Sequence, residues 1–189
     1  MATVLHYHCG IGEIAPTMAP AQKKVVLRSL SNELAWGYLP QGGFLHDFTI
    51  KLMAVDGRVT AFPFNYLKQI AYVKDFNLDD KVDPERIGRS AFLARPRGDG
   101  LWLRLTFLDD QTLEGLAPSD LTFADAFLDD RGLFLTPPDP RSNTHRLFVP
   151  RHALKSLEVL GVVTAPSRRL SIKPKSRRTP DTQTKLFGE

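Results

Sequence analysis

The sequence has one cysteine in 189 residues and no long apolar run. A single thiol, Cys9, excludes a disulfide framework and a four-thiolate zinc site, and it is compatible with a reducing compartment. No stretch approaches the roughly 18 continuous apolar residues that a membrane span needs. The first twenty residues lack a basic segment followed by an apolar one, so they predict no signal peptide. We therefore expect a soluble protein of the cytoplasm.

The common catalytic motifs are also missing, since the sequence contains no P-loop, no G-x-S-x-G and no H-E-x-x-H. His6 and His8 lie beside Cys9, but a zinc site needs three or four ligands and the other histidines are isolated. Acidic pairs such as Asp109-Asp110 fall where turns are expected, and aspartate suits turns. We expect no enzyme, no metal and no cofactor. An enzyme whose catalytic residues assemble from distant positions is the weakest alternative.

The positive charge lies at one end of the chain. The formal net charge is +4, but residues 165–189 hold seven basic and two acidic residues, a net of +5, which leaves residues 1–164 at −1. Three prolines and few apolar residues predict that this basic tail is disordered. A polyanion, if one is bound, should meet the tail first.

A duplication dominates the rest of the chain. Residues 25–40 and 101–118 each contain an alternating run, a polar turn and a second run broken by a glycine, with the Leu27-Arg28 pair matched to Leu103-Arg104. Two closing segments, 59–73 and 146–160, align without a gap. Alternation with period two and frequent turn residues predict β-strands.

We therefore predict a mainly β protein of two tandem, small, five-stranded β-barrels. Asp83 before Pro84 predicts the start of a short helix between the barrels, since proline suits the first helical position. The predicted segments are an irregular leader (1–22), a first barrel (23–76), a linker with the short helix (77–100), a second barrel (101–164) and the disordered basic tail (165–189).

The polar turn and glycine of LTFLDDQTLEGLAP, followed by GLFLTPP, resemble the Sm-like fold of small barrels, and SH3-like barrels share the pattern. The stretch from Arg95 to Val162 is also similar to an uncharacterised bacterial family. The Sm-like resemblance implies a module that binds RNA or DNA. The family resemblance implies no activity.

The second barrel carries the candidate nucleic-acid site, because arginines and an asparagine suit contacts to phosphates and bases. The alternative is that these arginines pair with the many nearby aspartates. The candidate residues are Arg95, Arg97, Arg141, Asn143, Arg146 and Arg151, with Arg168, Arg169, Arg177 and Arg178 in the tail.

The end of the tail resembles the bacterial sliding-clamp-binding peptide, in which a glutamine precedes a Leu-Phe pair. The resemblance implies that Gln183 hydrogen-bonds at a pocket edge while Leu186 and Phe187 fill an apolar cleft. Thr184 and Lys185 depart from the residues that the motif prefers. The first hypothesis for function is thus a non-enzymatic adaptor whose tail recruits a protein partner, with the sliding clamp as the candidate. The second is a nucleic-acid-binding module that uses the second barrel.

Overall fold

The computed structural model describes residues 23–39, 45–120 and 131–164. The described residues form antiparallel strands and two short 3₁₀ turns, Phe64–Tyr66 and Arg151–Ala153. The strands are β1 (Lys23–Ser29), β2 (Leu34–Leu39), β3 (Leu45–His46), β4 (Thr49–Met53), β5 (Val59–Pro63), β6 (Leu67–Val73), β7 (Gly100–Phe107), β8 (Thr112–Ala117), β9 (Leu133–Leu135), β10 (Thr144–Val149) and β11 (Leu154–Val163). The mainly β prediction is confirmed. No described helix is long and apolar enough to cross a membrane.

The prediction of two closed five-stranded barrels is wrong, because the strands form open antiparallel sheets. The larger sheet runs β3-β4-β2-β1-β6-β10-β9, with β5 on β4, and a three-stranded sheet runs β11-β7-β8. One bridge, between Leu116 and Thr136, connects β8 to the segment after β9. The last strand of the first copy, β6, pairs with β10 of the second copy. One sheet therefore passes through both copies.

The predicted linking helix is also wrong. Residues 77–99 contain turns and bends but no helix, and Arg86 adopts a positive φ of 44°. The Arg86 N–H donates to the Asp83 carbonyl, which closes a tight turn around Pro84. The Glu85 side chain is 1% exposed and binds Arg28. A buried ion pair has overridden the local helix-start pattern.

The first turn of each copy is closed by an equivalent backbone hydrogen bond, which supports the duplication. In the first turn, Ser29 N–H donates to Glu33 O, and in the second Phe107 N–H donates to Gln111 O, both at 2.9 Å. Asn32 and Asp110 occupy the same left-handed position, with φ of 65° and 62°. Ser29 therefore matches Phe107, and the Leu-Arg match proposed from the sequence is two residues out of register.

Gly37 matches Gly115 in the same register as the turns. The closing segments match each other without a gap, in a register of their own. An added Cβ would touch Leu52 at Gly37 and Leu135 at Gly115, so both glycines allow the same close approach. Pro63 and Pro150 each precede a 3₁₀ turn, which leads into β6 or β11. The gapless alignment of the closing segments is confirmed.

The two hydrophobic clusters are shared between the copies. One joins Val26 and Ala71 of the first copy to Leu103, Leu135 and other residues of the second. The other joins first-copy residues to Phe148 of the second. Strand β6 is buried along its whole length because it has a neighbouring strand on each side and a core on each face. Burial on both faces explains its nearly continuous apolar sequence.

Candidate binding surfaces

Basic side chains concentrate in two described regions with different surroundings. The first, the charged cleft, has a volume of about 450 Å³ and lies between the turn after β1, the 82–90 segment and the β7–β8 hairpin. The second, the cationic face, lies where β6, β9 and β10 run side by side. It comprises Lys23, Tyr72, Phe134, His145 and Arg146.

An Arg28–Glu85 pair forms one wall of the charged cleft. Arg28 Nε donates to Glu85 Oε1 at 2.9 Å and Nη2 donates to Oε2 at 2.8 Å, a two-point contact. Gln69 Nε2 donates to the same carboxylate at 3.4 Å, and Thr144 Oγ1 donates to the Glu85 carbonyl at 2.8 Å. Strand β1 positions Arg28 opposite Gln69 of β6. The carboxylate therefore has the donors that a buried charge requires.

Lys68 forms the other charged part of the cleft. Its side chain is 3% exposed, and Nζ donates to Asp109 Oδ2 and, at 2.9 Å, to Gln111 Oε1. The ammonium also lies 5.0 Å from the centre of the Phe107 ring. Lys68 belongs to the first copy and its partners to the second, so this cluster connects the copies.

Two of the cations that line the charged cleft, Arg28 and Lys68, are thus neutralised by carboxylates of the protein itself. Burial and the nearby Glu85 charge raise the pKa of Asp83, which disfavours a further negative charge there. Among residues 23–39, 45–120 and 131–164, no group of three or more histidines, cysteines and carboxylates could hold a metal ion. Arg28 and Lys68 therefore stabilise the fold and are already paired, whereas Arg89, which also lines the cleft, is exposed and has no ion pair among the described residues.

The cationic face combines basic groups with aromatic rings. The Arg146 guanidinium carbon lies 3.9 Å from the centre of the Phe134 ring, and Lys23 Nζ lies 5.9 Å from the centre of the Tyr72 ring. Arg146 is opposite Tyr72 in the β10–β6 pairing, and Phe134 is opposite Phe148 in the β9–β10 pairing. Three strand pairings, β1–β6, β6–β10 and β10–β9, therefore bring these groups together.

The cationic face differs from the cleft in its electrostatics. Within the described part of the chain, neither Lys23 nor Arg146 has a carboxylate within ion-pairing distance, whereas neighbouring Lys24 pairs with Asp75 at 2.6 Å. Partial burial of the ring, followed by the charges of Lys74 and Arg146, lowers the pKa of His145. Burial raises the pKa of Tyr72 to about 12, so its hydroxyl stays protonated at neutral pH. The face is positive and contains a hydroxyl donor.

The structure separates the arginines that the sequence grouped. Arg146 lies on the cationic face, whereas Arg95 is exposed and donates to the Val162 carbonyl at 2.9 Å. Arg97, Arg141 and Arg151 are exposed at other places in the fold: before β7, in the loop before β10, and in the second 3₁₀ turn.

Asn143 has a structural role. Its Nδ2 donates to the Asp75 carbonyl at 2.7 Å and its Oδ1 accepts from the Asp75 N–H at 3.1 Å. The amide therefore attaches the loop before β10 to the end of β6, and we assign it no ligand contact. The remaining candidates lie outside the described residues: Arg168, Arg169, Arg177, Arg178, Gln183, Leu186 and Phe187.

Sequence reasoning missed Lys23 and Tyr72. Both lie in strands of the first copy, whereas the sequence assigned the site to the second copy alone. Only the β6–β10 pairing brings them to Arg146, so no local pattern in the sequence could have indicated them.

The fold and its surfaces define a class: an all-β protein of two similar copies joined by one sheet, with a cleft that contains two internal ion pairs and an exposed cationic face. A family model, described as a family of unknown function (DUF6982), matches residues 21–161, and the chain belongs to this family. No curated protein and no solved structure gives a significant match.

Proposed function

We propose that this is a non-enzymatic binding protein of the cytoplasm that holds single-stranded nucleic acid on the cationic face. The observation that carries the proposal is the position of Arg146 and Lys23, each over an aromatic ring and without a carboxylate partner among the described residues. Backbone phosphates gain most from cations that no protein carboxylate already neutralises.

The chemistry of the face suits a single strand. A guanidinium donates several hydrogen bonds to a phosphate, and its plane stacks on a base or an aromatic ring. The Tyr72 hydroxyl and the His145 ring add polar groups beside the two cations. Contacts of this kind recognise a charged backbone and base faces with little dependence on sequence.

The basic tail adds to the same binding. Residues 165–189 carry a net charge of +5, and they follow β11 directly. A tethered cationic segment raises the local concentration of a polyanion near the body of the protein. The cationic face and the tail are therefore two contributions that experiment can separate.

The test is binding of labelled single-stranded RNA and DNA to the full chain and to a chain that ends at residue 164. In each, Lys23→Ala is compared with Lys24→Ala, a neighbour whose charge Asp75 already neutralises. We expect binding to survive removal of the tail, and Lys23→Ala or Arg146→Ala to weaken it about tenfold. Loss of all binding with the tail, or equal effects of the two lysine variants, would contradict the proposal.

The second candidate function is recruitment of a protein partner, the bacterial sliding clamp, by the end of the tail. The observation that favours it is the pattern of Gln183, Leu186 and Phe187 within a basic, proline-containing segment, because exposed apolar side chains such as these gain nothing from water. Peptides of this length bind through a few buried anchors, so we expect a dissociation constant in the micromolar range.

A titration of the host clamp with the full chain tests this second candidate. The variant combines Leu186→Ala with Phe187→Ala, and the control is Thr182→Ala, a tail residue outside the pattern. We expect the double variant alone to lose binding. Equal binding by the double variant and the control, or no binding by the unmodified chain, would exclude the clamp as partner.

A further inference from the structure

The seam between the two copies shows how one copy attaches to the next. In this seam β6 of the first copy pairs antiparallel with β10 of the second, with Tyr72 opposite Arg146. Lys68 of the first copy donates to Asp109 of the second and lies over the Phe107 ring, and Leu30 packs against the hydrophobic cluster that contains Phe107 and Ala153. The seam therefore combines strand pairing, an apolar contact and an ion pair.

Each of the two strands in this seam has an equivalent strand in the other copy, and among the described residues neither equivalent has a strand on its second edge. Aligned on Pro63 and Pro150, strand β5 corresponds to β10 and strand β11 corresponds to β6. Among the described strands, β5 pairs only with β4 and β11 pairs only with β7, so each has one open edge. Open edges of this length are templates for another strand.

The residues along the two open edges are compatible with each other. The positions that correspond to the Tyr72–Arg146 pair are Val159 on β11 and Val59 on β5. These valines are 57% and 63% exposed, whereas Tyr72 is 6% exposed in the seam. Two β-branched side chains opposite each other suit an antiparallel pair.

A groove lies beside the open edge of β5. Its volume is about 360 Å³, and its lining is mostly apolar, with Ser29, Ser31 and Tyr66 among the lining residues. By the turn and closing-segment alignments, these three positions correspond to Phe107, Asp109 and Ala153. In the seam, Lys68 contacts Phe107 and Asp109, and Leu30 packs against the cluster that contains Phe107 and Ala153. The groove of the first copy is therefore equivalent to the surface of the second copy that Leu30 and Lys68 cover in the seam.

The second copy carries the side chains that would fill this groove. Leu108 corresponds to Leu30 and is 56% exposed, and Lys155 corresponds to Lys68. Lys68 donates to Gln111 in the seam, and the equivalent of Gln111 in the groove lining is Glu33. Lys155 pairs with the exposed Asp110 of its own chain, and in the complex it would meet the Glu33 carboxylate of the next chain as a second partner.

We propose that copies of this chain associate head to tail, with the β11 edge, Leu108 and Lys155 of one chain bound to the β5 edge and groove of the next. Such an interface uses a different surface on each partner. Each bound chain therefore leaves one β5 edge and one β11 edge for further copies, and assembly continues until a ring closes or a filament forms.

The test is sedimentation velocity of the full chain at concentrations up to about 100 μM, where even a weak interface is populated. We expect species larger than a dimer for the unmodified chain and monomers for Val59→Lys and for Leu108→Asp. A mixture of these two variants should give dimers and nothing larger, because one variant retains the β11 side and the other retains the β5 side.

The matched controls are exposed apolar residues outside both edges: Val55→Lys for the β5 variant and Leu93→Asp for the second-copy variant. Both controls should assemble as the unmodified chain does. Formation of the mixed dimer also shows that both variants are folded. A monomeric unmodified chain, equal losses in variants and controls, or a mixture without dimers would overturn the proposal.

Discussion

The charged cleft and the cationic face use the same kinds of side chain in opposite ways. In the cleft, Arg28 and Lys68 are buried against Glu85 and Asp109, so each charge has its counter-charge inside the protein. On the cationic face, Arg146 lies on an aromatic ring, and the described residues provide no carboxylate for it. A count of arginines and lysines cannot separate the two regions, whereas the position of the carboxylates can. The two ion pairs of the cleft stabilise the fold, and the cationic face is the ligand site that we propose.

The largest effect should come from breaking the buried pair of the cleft. Glu85→Ala leaves the Arg28 guanidinium without its carboxylate, and we expect a loss of about 3–5 kcal/mol in the free energy of unfolding. Urea denaturation measures it. The control is Glu158→Ala, since Glu158 is an exposed partner of Arg104 and its loss should cost about 0–1 kcal/mol. Equal losses would show that the cleft pair is no more important than a surface pair.

The matched lysines of the two copies give the next effect. Lys68→Ala removes the donor to Asp109 and Gln111, and we expect a loss of about 1–3 kcal/mol. Lys155→Ala removes the corresponding lysine, whose pair with Asp110 is exposed, and should cost about 0–1 kcal/mol. Denaturation at low protein concentration avoids any contribution from association. A larger loss for Lys155→Ala would contradict this view of the seam.

A third prediction concerns acid, and it uses the buried carboxylate of Glu114. Burial alone would raise its pKa, but hydrogen bonds from the Phe92 N–H, Arg104 and Trp102 together lower it. A lowered pKa means that the group stabilises the fold above its unfolded pKa and that this stability is lost as the pH falls through the folded pKa. Between about pH 6 and pH 3 the Glu114→Gln variant should therefore lose less stability than the unmodified chain. Parallel pH profiles of the two proteins would disprove it.

The smallest effect should appear at His145 on the cationic face. Its pKa is lowered by partial burial and by the positive neighbours Lys74 and Arg146. A bound polyanion would offset those charges and raise this pKa, so binding should strengthen as the pH falls below about 6.5. The pKa of His145 can be followed by NMR with and without single-stranded RNA. An unchanged or lower pKa in the complex would place the ligand elsewhere.

The sequence predicted the local features of the fold and failed on the long-range ones. The β character, the turns and the match of Pro63 with Pro150 follow from short patterns, and they are confirmed. The prediction of two closed barrels is wrong because β6 pairs with β10 of the other copy. No local sequence pattern shows which distant strand has a free edge for such a pairing. One signal was present. LKQIAYV ends in four consecutive apolar residues and is buried throughout, whereas LKSLEVLGVV is interrupted by Lys155, Ser156 and Glu158 and is buried only at its last residue.

The site was only partly predictable for the same reason. Arg146 was among the predicted residues, but its neighbours Lys23 and Tyr72 come from the other copy through the β6–β10 pairing. Asn143 was predicted to contact a ligand, and the structure shows it attached to the Asp75 backbone. The predictions for Gln183, Leu186 and Phe187 stay predictions, because they lie outside the described residues.

The central claim, that the unpaired cations of the face hold a polyanion, is tested most directly by the salt dependence of single-stranded RNA binding. Each phosphate contact contributes about −0.7 to the slope of log affinity against log salt concentration. Combining Lys23→Ala with Arg146→Ala should make the slope less steep by about 1.4. The control combines Lys24→Ala with Arg58→Ala, two exposed cations that already pair with aspartates, and should leave the slope unchanged. Equal slopes for all three proteins would contradict the account.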